Sequence, residues 1–340
     1  MKILLLSPLP PPAGGIATWT EAYCRFCYDH GHEVCVVNTA LRGRRVEKRR
    51  NLLREIERTV SIVGAFCRQI HKKKYDVVHI NTSCSPLGLL RDTICMLLAG
   101  SNKTVLHCHC NVEDQIGSSR LANKLLKYAA MKASVILVLN TKSKIYIEAL
   151  SGKPAQIVPN FIDASFVSEN HEIRPEIQKV VFVGHIRREK GIFEILTAAA
   201  KLLDVEFQLV GPVCEDFSEE LIPSNVQMVG TKTRVEIMEI LQAADVFVFP
   251  SYTEGFSVAM LEAMASGLPI IATDVGANRD MIEEFGGILV TTKSSEAIVS
   301  AIVELATDAE RRANMSKWNI QKVQRLYSAD TVLGSLLQDK

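Results

Sequence analysis

The chain has 340 residues, a formal net charge of +1 and an apolar fraction of 47%. This length suggests two domains, and the composition is that of a globular chain with a sizeable core, which excludes a disordered protein. No apolar run reaches the roughly 18 residues that span a bilayer. The run after Met1 is too short for a signal peptide and ends at Pro8 without a cleavage pattern, so we expect a first, buried β-strand.

Nine cysteines, an odd number, lie mostly in apolar segments. This usage favours reduced thiols in a cytoplasmic protein over a disulfide framework. The run from His107 to Cys110 alternates His and Cys, but on a strand adjacent side chains face opposite sides. At most two of these side chains then share a face, which is fewer than a closed zinc site needs, and we expect no metal there.

The two halves of the chain carry opposite charge. Residues 1–165 hold 23 Lys and Arg against 12 Asp and Glu, and residues 166–340 hold 16 against 26. Much of the basic excess lies at residues 42–58 and 72–74. A basic face of this kind suits an anionic membrane surface, a lipid diphosphate or nucleic acid, and an ordinary solvated helix explains it equally well.

Short apolar, β-branched runs alternate with segments whose apolar residues recur every three to four positions. In chain order the strand-like runs are residues 2–6, 33–38, 76–80, 104–107, 134–139, 156–158, 179–183, 206–210, 226–228, 246–249, 270–272 and 288–290. Helical patterns separate them, for example at residues 16–30, 52–71, 120–132, 192–203, 234–243 and 257–266. This alternation predicts an α/β fold of two Rossmann-like, doubly wound domains that face each other across a cleft.

The polar segment 163–178, which contains Pro175, is the predicted linker. We expect an N-terminal domain over residues 1–165 and a C-terminal domain over residues 166–320. The last helical stretch, about residues 308–337, is long enough to pack back, so residues 321–340 are expected to cross to the N-terminal domain.

The most informative segment follows the predicted strand 246–249. A polar turn carries Glu254 and Gly255, and a helix opens at Phe256 or Ser257 with Glu262 on it. Glycine lets the backbone approach a ligand, Ser257 is a good N-cap, and a helix N-terminus favours an anion such as a pyrophosphate. Carboxylates beside a phosphate site suit hydrogen bonds from sugar or ribose hydroxyls, which predicts a sugar-nucleotide site.

Two glycine loops support this prediction. Gly14 and Gly15 open a helix after the first strand, without the G-x-G-x-x-G spacing of NAD-binding folds. In the second half, Gly184 ends a strand before a cluster of cations that includes Arg188 and Lys190. A lysine supplies a point charge and an arginine can bind two phosphate oxygens, so this loop is a candidate diphosphate clamp.

With these motifs the chain resembles a GT-B glycosyltransferase of the large retaining family 4, the glycosyl transferases group 1. The resemblance runs nearly end to end, and its most specific mark is the pair Glu254 and Glu262, with seven residues between them. Its other marks are Gly14–Ile16, Gly31–Val34, Asp76–His79, His109, Val158–Asn160, Gly184–Gly191 and Val210–Gly211.

The resemblance implies residue roles. Glu254 would bind the donor sugar's hydroxyls and Glu262 the ribose, and His109 would orient the sugar or assist its transfer, with His107 as the fallback. Lys190 and Arg188 would bind the diphosphate. Backbone and helix-start contacts to the donor would come from Gly15, Gly255, Phe256 and Ser257.

The chain departs from the family pattern at two positions. His185 stands where an arginine commonly contacts the phosphates, so Arg187, Arg188 or His185 itself could take that role. Phe161 replaces the glycine that usually follows the asparagine at Asn160.

The implied activity is transfer of a sugar, with retention, from a nucleotide-diphosphate donor to a hydroxyl in polysaccharide or lipid-linked glycan synthesis. No Asp-x-Asp triad stands at a strand end, so neither a metal nor another cofactor is required. We expect a cytoplasmic protein, with peripheral contact at the inner membrane face compatible with its basic half. The alternatives are a nucleotide-sugar 2-epimerase-like isomerase on the same fold and a nucleic-acid-binding protein.

Overall fold

The computed structural model describes residues 1–11, 14–40, 52–214 and 222–338. Pro12, Ala13 and residues 42–51 of the basic run therefore lie outside the described residues. The chain forms two compact units, one of Met1–Pro159 with the segment from Leu333 onward, the other of Asn160–Val332. The division falls at Pro159 rather than at residue 165, and the returning segment begins at Leu333 rather than at residue 321.

The first unit contains a six-stranded parallel sheet in the order β2-β1-β3-β4-β5-β6. Its strands are β1 Lys2–Ser7, β2 Glu33–Asn38, β3 Val77–Thr82, β4 Lys103–Cys108, β5 Val135–Val138 and β6 Gln156–Ile157. The central strand β3 is buried along its whole length, as expected of a parallel strand covered by helices on both faces. The helices are α1 Gly15–Asp29, α2 Leu52–Lys72, α3 Pro86–Leu98, α4 Val112–Ile116, α5 Arg120–Lys132 and α6 Thr141–Ser151.

The second unit repeats the plan with a parallel sheet in the order β12-β11-β10-β7-β8-β9. Its strands are β7 Lys179–Val183, β8 Glu206–Val210, β9 Val226–Gly230, β10 Val246–Phe249, β11 Ile270–Thr273 and β12 Gly287–Val290. The helices of this unit are α7 Ile192–Ala199, α8 Arg234–Gln242, α9 Val258–Ala265, α10 Asn278–Ile282, α11 Ser295–Ala306 and α12 Ala309–Leu326. Short 3₁₀ helices lie at Ala164–Phe166 and Arg188–Lys190.

The prediction of one long helical stretch near the C-terminus was wrong. The chain instead forms α12 and a separate helix, α13 Ala329–Gln338. Between them the carbonyl of Tyr327 accepts the Ile162 N–H at 2.9 Å, and the Ser328 hydroxyl accepts the Thr331 N–H at 3.2 Å at the start of α13. These bonds replace the helical pattern at Tyr327 and Ser328 and so end one helix before the next begins.

The strand order of the second unit determines which loops meet. β10 lies between β7 and β11, so the loops that follow these three strands leave the sheet side by side at its carboxyl edge. These loops are residues 184–191, 250–257 and 274–277. In α/β sheets this edge is where ligands bind. No helix in the described parts of the chain is long and apolar enough to cross a bilayer.

Candidate functional site

The segment with the two glutamates has the predicted strand–turn–helix form. β10 is fully buried, and the hydroxyl of Ser257 caps α9 by accepting the N–H of Met260 at 3.2 Å. Six consecutive residues of α9, from Met260 to Ala265, are buried. Glu262 is one of them. Burying a carboxylate that has no partner costs a large amount of free energy, so Glu262 needs a partner.

Lys190 and Glu254 form an ion pair across two of the neighbouring loops. Their side chains are only 16% and 12% exposed, so both charges are largely withdrawn from water. The ammonium nitrogen of Lys190 also lies 5.3 Å from the centre of the Phe249 ring, at the end of β10. A cation and a carboxylate are thus held together at the carboxyl edge of the sheet.

Backbone contacts hold these two loops in register. The Tyr252 N–H donates to the Glu189 carbonyl at 2.9 Å. Gly191 has φ 72°, and a Cβ at this position would collide with the Pro250 carbonyl. Glycine is therefore needed at residue 191 both for the left-handed conformation and for the close approach of the two loops.

The loop after β11, residues 274–277, contacts the turn of Glu254 from the other side of β10. Gly276 has φ 55° and packs directly on the Glu254 carbonyl, where a Cβ would not fit. The Ala277 N–H donates to the Gly255 carbonyl at 3.0 Å, and the Thr273 hydroxyl donates to the Ser251 carbonyl at 2.5 Å. The turn that carries Glu254 is accordingly fixed by its neighbours.

Glu262 pairs with Arg234, a residue that the sequence analysis did not single out. The Arg234 Nε lies 3.2 Å from a Glu262 carboxylate oxygen, and the guanidinium lies 4.1 Å from the centre of the Phe166 ring. Burial raises the pKa of Glu262, while the positive charge of Arg234 acts in the opposite direction. The chain contains no local pattern that joins these residues, because Arg234 starts α8 and Glu262 lies in α9.

The cations of the loop after β7 each have a partner. Arg188 lies over the Phe193 ring, with the guanidinium carbon 4.4 Å from its centre, and Arg187 pairs with Glu189 at 3.7 Å. His185 is exposed, and its Nδ1 lies 3.2 Å from the Cys214 thiol sulfur. The choice among these three residues as the diphosphate ligand stays a prediction.

Phe256 differs from its neighbours in the segment because its side chain packs inward. The ring is buried and meets Tyr327 edge-on, with centres 5.4 Å apart. The Phe256 carbonyl accepts a hydrogen bond from the Asn160 side chain at 3.1 Å. Any contact of Phe256 with a donor would therefore come from its main chain.

His109 follows β4 in the first unit and sits in an aromatic cluster. Its ring centre lies 3.9 Å from that of His107 and 5.0 Å from that of Trp19, which α1 presents four residues after Gly15. Burial lowers the pKa of His109 to about 3, so the imidazole is neutral near pH 7.

His107 is fully buried against Trp19, and its Nδ1 lies 3.4 Å from the His79 Nε2. His109, by contrast, is half-buried. Of the two histidines, His109 is the less buried residue. Across the described residues, no three His, Cys, Asp or Glu side chains converge in a way that could hold a metal ion.

Two family models match the chain in succession. The model described as Glycosyltransferase Family 4 matches residues 13–166, and the one described as Glycosyl transferases group 1 matches residues 164–322. The fold is that of GT-B proteins, as in sucrose-phosphate synthase from Thermosynechococcus elongatus, with a TM-score of 0.82, 20% identity and coverage of 99% of this chain and 97% of that one. The Anabaena HepE structure in complex with UDP and glucose has a TM-score of 0.74, 18% identity and coverage of 100% and 99%. The chain thus consists of a Glycosyltransferase Family 4 domain followed by a Glycosyl transferases group 1 domain.

Curated relatives are glycosyltransferases. The chain is 33% identical over 197 residues to the teichuronic acid biosynthesis glycosyltransferase TuaC of Bacillus subtilis, over 54% of this chain and 50% of that one. It is 26% identical over 288 residues to an Escherichia coli UDP-Gal:alpha-D-GlcNAc-diphosphoundecaprenol alpha-1,3-galactosyltransferase, over 76% and 72%. The match thus spans about half the length of the Bacillus subtilis relative and 72% of the Escherichia coli relative.

Proposed function

We propose that the protein transfers a sugar, with retention, from a nucleotide-diphosphate donor to a hydroxyl of a glycan or lipid-linked acceptor. The observation that carries this proposal is the arrangement of Lys190, Glu254 and Glu262 at one sheet edge in the second unit. One cation and two carboxylates stand beside the N-terminus of α9, which is the set of groups that a sugar, a ribose and a diphosphate require.

The chemistry follows from where charge develops. As the bond from the anomeric carbon to the diphosphate breaks, negative charge accumulates on the leaving phosphate oxygens. Lys190, an arginine of residues 187–188 and the amide groups at the start of α9 would stabilise that charge from fixed positions. We propose that these groups make a divalent metal unnecessary, so the rate should be unaffected by EDTA.

Lys190 and Glu254 would have separate roles once the donor binds. Lys190 would bind the phosphates, while Glu254 would accept hydrogen bonds from sugar hydroxyls next to the reacting carbon. His109, neutral near pH 7, would exchange hydrogen bonds with the sugar rather than protonate the leaving group.

We further propose that the acceptor is reached at the inner face of a membrane. The names of the E. coli relative and of a Campylobacter jejuni relative both include a diphospho-undecaprenol acceptor. On the first unit, α2 exposes the aliphatic side chains of Leu53, Ile56 and Val60, and α3, which packs against α2, exposes Leu87 and Leu90. Exposed aliphatic groups on the half of the chain that carries an excess of Lys and Arg suit an anionic lipid interface.

A thermal-shift panel tests the donor site. UDP, GDP, ADP and their sugars should include a ligand that raises the melting temperature, and Glu262→Ala should abolish the shift because the ribose loses its acceptor. Glu239→Ala, an exposed glutamate of α8, is the matched control and should keep the shift. A stabilising effect of DNA or RNA without any nucleotide effect, or an unchanged shift in Glu262→Ala, would contradict the proposal.

The relatives favour transfer over the isomerase and nucleic-acid alternatives, because the matches are to transferases. Incubation of the bound nucleotide sugar without acceptor separates transfer from isomerisation. A transferase leaves the sugar's stereochemistry unchanged, whereas an epimerase converts it to an equilibrium mixture.

A further inference from the structure

Arg234 is the candidate for an additional role at the nucleotide site. It is the first residue of α8, after the carboxyl end of β9, and its Nε lies 3.2 Å from the Glu262 carboxylate. The Glu262 side chain is 11% exposed and that of Arg234 is 36% exposed. The guanidinium thus lies at the boundary between the solvent and a buried carboxylate.

Three charged groups on segments next to α9 are engaged with other residues. In the loop before α9, Glu254 pairs with Lys190. On α12, Arg312 donates to the carbonyls of Arg174 and Pro175, at 2.6 and 2.9 Å, and Lys322 contacts the Asp280 carbonyl and the Glu283 carboxylate. Among the described contacts, the charge that acts on Glu262 is that of Arg234.

Phe166 packs against Arg234. Its ring centre is 4.1 Å from the guanidinium carbon, a distance typical of stacking between arginine and an aromatic ring. The guanidinium is therefore held between an aromatic face and a carboxylate. Lysine could supply the charge at this position but not the planar stack.

We propose that Arg234 is a positioning residue that keeps Glu262 ionised and oriented to accept hydrogen bonds from the ribose of the donor nucleotide. This inference rests on the proposed role of Glu262. A neutral carboxyl group has fewer acceptor sites for two ribose hydroxyls than a carboxylate has. Loss of Arg234 should therefore weaken nucleotide binding without removing any group that touches the nucleotide.

Isothermal titration with UDP, GDP and ADP in turn, between pH 6.5 and 9, tests the inference. Arg234→Met should bind about tenfold more weakly than the wild type near pH 7, because the ribose hydroxyls lose a charged acceptor at Glu262. The deficit should shrink as pH rises, because Glu262 then ionises even without its cation. Arg234→Lys should restore part of the affinity.

Glu262→Gln provides the reference because its side chain cannot ionise. This variant should bind weakly at every pH, and adding Arg234→Met to it should have little further effect. A pH-independent deficit in Arg234→Met, no rescue by Arg234→Lys, or a further large loss in the double variant would overturn the inference. The last result would mean that Arg234 contacts the nucleotide directly.

A stability measurement separates this inference from the proposed function. A carboxyl group whose pKa is raised by burial loses its proton at a lower pH in the unfolded chain than in the folded protein. The folded protein therefore becomes less stable as pH rises above about 4.3. Between pH 5 and 8, the free energy of unfolding of Arg234→Met should fall relative to that of Arg234→Met/Glu262→Gln. Parallel curves would overturn the link between Arg234 and Glu262, whether or not the wild type binds a nucleotide. If the curves diverge but no nucleotide binds, the proposed function fails instead, and with it the role assigned to Arg234 in ribose binding.

Discussion

At the scale of single residues, the candidate site consists of charges that are paired before any ligand is present. Lys190 pairs with Glu254, and both side chains are largely shielded from water. Glu262 is shielded to a similar extent, whereas its partner Arg234 is 36% exposed. The attraction within such a pair roughly offsets the cost of removing its members from water, whereas leaving one member alone is costly. The two pairs therefore keep binding groups in place without a large net gain in stability.

Removing Lys190 should separate its structural effect from its effect on binding. Lys190→Met leaves the Glu254 carboxylate without its cation and should lower the free energy of unfolding by about 3 kcal/mol. Lys190→Met/Glu254→Gln should regain most of this stability but not the nucleotide affinity, because the diphosphate still lacks its ammonium group. Urea unfolding and calorimetric titration measure both. Recovery of affinity in the double variant would show that Lys190 does not bind the phosphates.

His109 gives an acid-sensitivity prediction. Burial lowers its pKa to about 3, whereas a histidine in the unfolded chain titrates near 6.5. As pH falls from about 6.5 towards 3, the unfolded chain takes up a proton that the folded protein excludes, so stability falls. His109→Gln should reduce the loss of unfolding free energy between pH 7 and pH 5. An identical loss in the variant and the wild type would mean that this imidazole is not held neutral.

Residue-level patterns predicted part of this site. The Glu254–Glu262 spacing, the Ser257 cap and the lysine at residue 190 could be found because each belongs to a local strand–turn–helix pattern. Arg234 and its stack on Phe166 could not be found in this way. Those contacts join α8, α9 and a 3₁₀ helix that are distant in the chain, and a one-dimensional pattern carries no distance between elements.

At the scale of elements, the loops at the sheet edge depend on glycines that allow close backbone contact. Gly276 packs on the Glu254 carbonyl in a left-handed conformation, and Gly230 has a similar conformation with φ 77° but open space around it. A side chain at either position would strain the backbone. Only at residue 276 would it also collide with neighbouring atoms. This difference offers a matched test of how the turn of Glu254 is held.

Gly276→Ala should lower the free energy of unfolding by about 3 kcal/mol, and Gly230→Ala by only about 1 kcal/mol, since both add strain but only the first adds a collision. Urea unfolding curves measure both values. Equal losses in the two variants would indicate that the turn of Glu254 moves aside freely and is not held by residue 276.

Element bounds followed closely from the sequence because buried parallel strands and amphipathic helices have different periods. The strands at residues 33–38, 179–183, 206–210 and 246–249 agree with β2, β7, β8 and β10 at both ends. The helical stretch 308–337 was predicted incorrectly as one element. Its interruption depends on hydrogen bonds that the Tyr327 carbonyl and the Ser328 hydroxyl accept, which no local propensity reveals.

At the scale of the whole molecule, the charges are divided between the halves of the chain. Residues 1–165 carry a balance of +11, from 23 cations and 12 anions, and residues 166–340 carry −10, from 16 and 26. The exposed aliphatic residues Leu53 and Val60, 75% and 65% exposed, lie on the basic half. Charge and apolar exposure therefore coincide on the part of the chain proposed to meet a membrane.

Vesicle flotation tests that proposal. The protein should bind vesicles containing phosphatidylglycerol at low salt and bind them more weakly at high salt, because screening shortens the reach of surface charge. Ile56→Asn/Val60→Asn should reduce binding several-fold. Val303→Asn, which changes an exposed valine of α11, is the control and should have no effect. Failure to bind anionic vesicles at low salt, or an equal loss in the control, would refute the proposal.

The sequence by itself determined the α/β class, the alternation of strands and helices, and the family motifs, because periodicity and short spacings are local properties of a chain. Only the tertiary structure decided the order of the strands, which brings the loops after β7, β10 and β11 together, and the partners of Lys190 and Glu262. Those features depend on which elements pack side by side. Burial, which raises the pKa of Glu262 and lowers that of His109, exists only once the chain has folded.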